Sequence, residues 1–187
     1  MQYSLFMNTL EEEKRTLRKL IKEQKERLTP SEIQQYSRCI FTKIEGLPEF
    51  CEADTIMAYW ALPDEVQTQD FILHWYQHKH IVLPVVDGSY LRLKEFTGIN
   101  NMTVSNHFGI EEPNAEDFVH PEKIQMVIVP GIAFDKQNNR LGRGKAYYDR
   151  FLMSIRTFKI GVCFPFQLLP HIPAGPEDIK MDIVITC

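Results

Sequence analysis

The sequence predicts an α/β layered fold on a largely parallel sheet, and three observations carry that prediction. Two short apolar runs, Ile81–Val86 and Ile124–Val129 (broken only by Gln125), lack the alternation of a strand with one wet face and read as strands buried on both sides. Segments with helical periodicity lie between the apolar runs, the pattern of layered α/β proteins. A glycine-rich cationic stretch follows the second run, and open parallel sheets hold ligands beyond the carboxyl ends of their strands.

Each element has its own signal. Residues from about Asn8 to Arg27 form a charged helix with Leu10, Leu17, Leu20 and Ile21 as its apolar stripe. Thr29-Pro30-Ser31-Glu32 resembles a capping box, with proline at the first helical position, and opens a second helix running to about Glu45. Thr55 to Leu62 is rich in strand formers, and Gln67 to Lys79 is helical with Phe71, Ile72 and Trp75 on one side. Tyr90 to Thr97 partly alternates and reads as an edge or hairpin strand, whereas Gly98 to Pro121 is polar and turn-rich. A helix from Tyr147 to about Ser154 and strands at Phe158–Phe164 and Ile183–Thr186 complete the pattern. The 187 residues, with no repeat or low-complexity linker, suit a single domain.

A net charge of −4 argues against general nucleic-acid binding. No run approaches the roughly 18 apolar residues of a membrane span, and no signal peptide is legible, so the expected setting is the cytoplasm. Cys39, Cys51, Cys163 and Cys187 have no metal-ligand spacing and read as reduced thiols. His74 and His78 share a helix face, but no glutamate of the H-E-x-x-H type lies between them, so they read as ordinary surface or half-buried histidines.

The richest chemistry lies in Arg140-Leu141-Gly142-Arg143-Gly144-Lys145-Ala146-Tyr147-Tyr148-Asp149-Arg150. Glycines allow close backbone approach and cations suit an anion of several charges. The stretch is not a phosphate-binding loop of the G-x-x-x-x-G-K-[ST] type, since Ala146 follows Lys145. The dinucleotide pattern fails too, because Tyr147 occupies the third glycine position. Read blandly, the stretch is a solvated turn. Lys14 and Arg18 share a face of the first helix, where spacing alone suggests a solvated charged surface supported by Glu11, Glu12 and Glu13. Asp64-Glu65 ends the first apolar strand, as either an acidic turn or a ligand holder. Trp60 suits stacking on a flat ring or burial in the core. Asp149, with Asp178 or Asp182, offers Mg²⁺ two carboxylates if they converge.

Pro130-Gly131-Ile132-Ala133-Phe134-Asp135, followed by the Arg140–Arg150 stretch, resembles the signature of 5-formyltetrahydrofolate cyclo-ligases. Lys14, Arg18, Asp64-Glu65, Gly109-Ile110-Glu111-Glu112-Pro113 and Asp182 occur in the matching order, so the resemblance spans nearly the whole chain. It implies a fold like that of phosphosugar isomerases and CoA-transferases, and MgATP-dependent conversion of 5-formyltetrahydrofolate into 5,10-methenyltetrahydrofolate. Lys14, Arg18 and Arg140, Leu141, Gly142, Arg143, Gly144, Lys145, Ala146, Tyr147 and Tyr148 would hold ATP. Trp60, Glu65 and Arg143 to Tyr147 would line the folate site, with Lys145, Arg143 and Glu65 nearest the chemistry. Asp149 and Asp182 would bind Mg²⁺. The expected partners are these small molecules alone, and the expected state is a monomer. Such enzymes usually carry glycine where Ala146 stands. A sugar-phosphate isomerase or sensor, or a silent nucleotide-binding module, would use the same cationic loop without this reaction.

Overall fold

The protein is described here from a computed structural model covering residues 2–104 and 111–187, with side chains from residue 9 onward. Gly109 and Ile110 of the expected signature lie outside the described residues.

Helix α1 spans Gln2–Lys25. Helix α2, Pro30–Glu45, begins with the expected capping box: Thr29 accepts from the Glu32 amide and the Glu32 side chain accepts from the Thr29 amide. A short helix α3, Pro48–Glu52, leads to strand β1, Thr55–Met57. Helix α4 spans Gln69–Trp75, and β2 (His80–Asp87) and β3 (Tyr90–Glu95) form a hairpin. Strands β4 (Met102–Val104) and β5 (Glu111–Pro113) pair with each other. Strands β6 (Met126–Pro130), β7 (Ala133–Asp135) and β8 (Arg140–Leu141) precede helix α5, Tyr147–Met153. Strands β9 (Phe158–Val162), β10 (Leu168–Leu169) and β11 (Ile183–Ile185) follow.

The central sheet has the order β11-β9-β6-β1-β2-β3, with only the edge strand β3 antiparallel to its neighbour. Alternate side chains of the strands serve opposite cores. Ile56, Ile81, Met126 and Ile160 pack with Ile40 and Ile44 of α2, Phe50 of α3 and Phe71 of α4. Met57, Val82, Val127 and Val129 pack on the other face with Leu152 of α5. This is the expected helix–sheet–helix layering. Phe134 is fully buried over the second face, where a Cβ on Gly161 would come within 2.4 Å of its ring. Glycine in β9 therefore makes room for an aromatic side chain from β7.

Several boundaries differ from the sequence reading. The strand expected to reach Leu62 stops at Met57. Beyond it the buried Thr68 hydroxyl donates to the Tyr59 carbonyl and accepts from the Ala61 amide, replacing ladder bonds with side-chain bonds. Helix α4 ends four residues before the expected Lys79. The small sheet β10-β7-β8 was not expected, because strands of two or three residues carry no measurable periodicity. Its Ala133 and Leu141 pack with Ile21 of α1 and with Ile172. The cysteine reading is also corrected in part: Cys39 and Cys187 form a disulfide across 148 residues, because α2 packs beside the end of β11. Cys51 and Cys163 are free.

Candidate active site

The carboxyl ends of β1, β2 and β6 converge on a cavity of about 220 Å³. Tyr59 and Trp60 follow β1, Pro84 and Val86 come from β2, and Pro130 and Gly131 end β6. The cationic loop forms the opposite wall through Gly142, Arg143, Lys145, Ala146, Tyr147 and Tyr148. Trp60 stacks on Phe96 with ring centroids 5.6 Å apart, and its indole N–H donates to Glu111 Oε2 at 3.0 Å. One face of a flat, polar-edged slot is thereby fixed.

Glu65 and Arg143 meet at the mouth of this cavity. Arg143 Nη2 donates to Glu65 Oε1 at 2.8 Å, and Glu65 Oε2 accepts from the Leu62 amide at 3.1 Å. Asp64 accepts from Lys25 Nζ at 3.1 Å and lies 3.5 Å from Arg143. Burial pushes the Asp64 carboxyl up, but the Lys25 and Arg143 charges outweigh it and leave it below the usual carboxylate range. The Lys25 side chain is 4% exposed. Sequence reasoning missed Lys25, yet Lys14, Arg18, Ile21 and Lys25 follow a spacing of four, three and four residues, one face of a helix.

That face of α1 corrects the reading of a solvated surface. Lys14 is buried, and its ammonium lies 2.6 Å from Asp178 Oδ2. Arg18 Nε donates to the Gly142 carbonyl at 2.9 Å. Its guanidinium lies where a Cβ on Gly144 would meet it at 3.4 Å, and Gly144 has φ of +90°, a conformation that favours glycine. Ala146 is also left-handed, at φ 53° and ψ 22°. Alanine thus carries strain at a position that suits glycine.

Arg140 is buried and pairs with Asp149 Oδ2 at 2.7 Å. Its guanidinium carbon lies 5.6 Å from the Tyr148 ring centre. The Arg140 Nε and Tyr148 hydroxyl are buried without hydrogen-bond partners, although both residues line the cavity. Burial, and secondarily the Glu65 charge, raises the Tyr148 hydroxyl pKa, so it stays a neutral donor. The Lys145 side chain is exposed, and among the described residues no ion-pair partner is seen for it. Leu141 contributes its side chain to the core instead, at 1% exposure.

A second cavity, of about 270 Å³, lies across the loop, with Lys14 and Arg150 as its cations and Glu11, Asp149, Glu177 and Asp178 as its carboxylates; Ala146 lines it too. Ala146 faces both cavities. Asp182 lies elsewhere: it accepts from the Lys159 amide at 2.7 Å and ammonium at 2.8 Å, at the amino ends of β9 and β11. Asp178, rather than Asp182, shares a cavity with Asp149. Asp149 is already engaged by Arg140 and by the Ile179 amide. Among the described residues no group of three or more His, Cys, Asp or Glu side chains is placed to hold a metal ion. Cys163 is buried, its thiol pushed up to about 12 by that burial, which removes it as a nucleophile.

Residues 10–187 match the sequence profile of the 5-formyltetrahydrofolate cyclo-ligase family. The chain belongs to that family. It is 30% identical to the Schizosaccharomyces pombe protein named "Probable 5-formyltetrahydrofolate cyclo-ligase", over 92% of this chain and 94% of that one. The Escherichia coli K12 protein named 5-formyltetrahydrofolate cyclo-ligase is 28% identical over 89% of this chain and 96% of its own. The fold agrees: the solution structure of Aquifex aeolicus 5,10-methenyltetrahydrofolate synthetase superposes with a TM-score of 0.82 at 32% identity, covering 91% of this chain and 88% of that one. Among the residues that the cyclo-ligase resemblance implied, Trp60, Glu65, Arg143, Lys145 and Tyr147 line one cavity. Lys14 and Asp149 line the other, Arg18 grips the loop between them, and Asp182 joins neither lining.

Proposed function

We propose that this chain closes 5-formyltetrahydrofolate to 5,10-methenyltetrahydrofolate with ATP, releasing ADP and phosphate. The observation that carries this reading is one cationic loop between two cavities, an aromatic one walled by Arg143, Lys145 and Tyr147 and a polar one lined by Lys14, Arg150 and four carboxylates, with Ala146 facing both. A reaction that joins a planar substrate to a phosphoryl donor needs such an arrangement. The pterin would stack on Trp60, with its tail outside, since about 220 Å³ is below the roughly 300–1,000 Å³ of pockets that enclose a whole drug-sized ligand. The triphosphate would lie across the loop, near Lys14 and Arg150.

A formamide oxygen is a poor leaving group. In the proposed reaction the formyl oxygen attacks the γ-phosphorus, and the bond to the bridging oxygen of ADP breaks. N10 then attacks the formyl carbon and loses its proton, and the C–O bond breaks to release phosphate. Phosphoryl transfer asks a protein mainly for alignment and charge neutralisation. Lys145 and Arg143 would neutralise the developing charge, while the unpartnered Arg140 Nε and Tyr148 hydroxyl are donors that an anion beside them could satisfy. Glu65, fixed by Arg143 and the Leu62 amide, would orient the pterin or its N10 region.

The two carboxylates that the resemblance assigned to Mg²⁺ do not fit a protein-held ion. Asp149 is engaged by Arg140, and Asp182 is held by Lys159 at the amino ends of the strands. No step is therefore assigned to the metal. We propose the monomer as the working unit. The proposed setting is the cytoplasm. The test is ATP-dependent formation of the methenyl product by the purified protein.

A further inference from the structure

Tyr147 and Arg150 lie three residues apart on α5, and both reach the tip of the β2–β3 hairpin. The Tyr147 hydroxyl donates to the Gly88 carbonyl at 3.2 Å, and Arg150 Nε donates to the Ser89 carbonyl at 3.1 Å. Arg150 Nη2 also donates to the Lys145 carbonyl at 2.9 Å. The same guanidinium carbon lies 5.5 Å from the centre of the Tyr147 ring, within cation–π range. One side chain thus ties together the hairpin, the cationic loop and the aromatic ring.

The hairpin is part of the site. Leu83, Pro84 and Val86 of β2 line the aromatic cavity opposite Lys145 and Tyr147. The separation of these walls is set where hairpin and loop touch, and β3 is the edge strand of the central sheet among the described residues, bridged on its outer side only through Lys94 and Asp117. The Arg150 bonds end on backbone carbonyls, so they hold the hairpin by position rather than by its side chains. A planar guanidinium serves two such acceptors at once; a lysine ammonium in its place lacks that fixed fork.

We propose that Arg150 is a positioning residue for the folate-side cavity, clamping the hairpin tip to the loop and so setting the gap between the β2 wall and Tyr147. The inference rests on the function proposed above for its kinetic consequence only. Without the clamp the hairpin samples wider positions, and apparent affinity falls by the fraction of time the closed wall is lost. Substrate that has bound restores the wall, so turnover at saturation changes little.

The experiment compares wild type with Arg150→Lys, which keeps a cation beside the ATP-side cavity but removes the fork. Folate KM should rise about tenfold, a larger change than that in kcat or in the KM for ATP. Amide hydrogen exchange at residues 87–90 should quicken, while the melting temperature holds. Arg150→Met should add a rise in the KM for ATP, because the cation is gone. Unchanged folate KM in Arg150→Lys, or unchanged exchange at 87–90, overturns the clamp. If wild type makes no methenyl product, the proposed function fails, and the clamp is judged on hydrogen exchange alone.

Discussion

Arg18 Nε donates to the Gly142 carbonyl across 2.9 Å, so a helix 124 residues away in sequence holds the cationic loop in place. Replacing Arg18 with Met removes that bond and the cation beside Gly144. We expect kcat/KM to fall about 10- to 100-fold, as when one charged positioning contact is lost. The melting temperature should drop by only a few degrees, because Arg18 is partly exposed. Steady-state kinetics beside a thermal melt checks this, and unchanged kinetics would remove Arg18 from the site.

Ala146 supplies a prediction of opposite sign. Its left-handed backbone (φ 53°) costs alanine roughly 1–2 kcal/mol. Glycine gives back about 0.4–1 kcal/mol through the freedom of the unfolded chain. Ala146→Gly should therefore stabilise the protein by about 0.5–1 kcal/mol in urea unfolding. A loss of stability would show that the methyl packs usefully between the two cavities.

Layering, sheet direction, the α2 cap and the loop at the sheet's carboxyl edge were legible because each leaves a local mark: apolar runs, a capping box and glycines among cations. Much of the site left none. Lys25 and Asp64 meet only in the fold, and the charged stripe Lys14, Arg18, Lys25 looks the same in sequence whether it faces water or Asp178. Likewise nothing near Asp182 in the sequence says that Lys159 holds its carboxylate. The Cys39–Cys187 pairing depends on how α2 meets β11, which spacing does not encode.

Asp135 should govern the acid limb of stability. Its buried carboxylate accepts from the amides of Gln137, Asn139 and Ile172 and from the Asn139 side chain, and His171 lies 3.8 Å away at the surface. Burial pushes the carboxyl up, but these donors outweigh it and leave it below the usual range. With the folded pKa below the unfolded value of about 3.9, this stabilisation is full above that pH. It is lost as pH falls through the folded pKa. Asp135→Asn faces donors with an amide and should cost about 2–4 kcal/mol at pH 7, with a shallower acid limb below pH 4. Urea midpoints from pH 7 down to 2.5 test both; parallel curves for the two proteins would contradict it.

The Cys39–Cys187 disulfide closes a loop of 148 residues. Reduction should lower stability by about 2–4 kcal/mol. A Cys187→Ser variant should start lower and ignore the reductant. Equal melting of wild type with and without reductant would mean that the two thiols are not joined in solution.

The most direct measurement mixes purified protein with 5-formyltetrahydrofolate and MgATP and follows absorbance of 5,10-methenyltetrahydrofolate while ADP is counted. A product signal that requires ATP is expected, with one ADP for each methenyl group formed. No signal, or a signal indifferent to ATP, would contradict it.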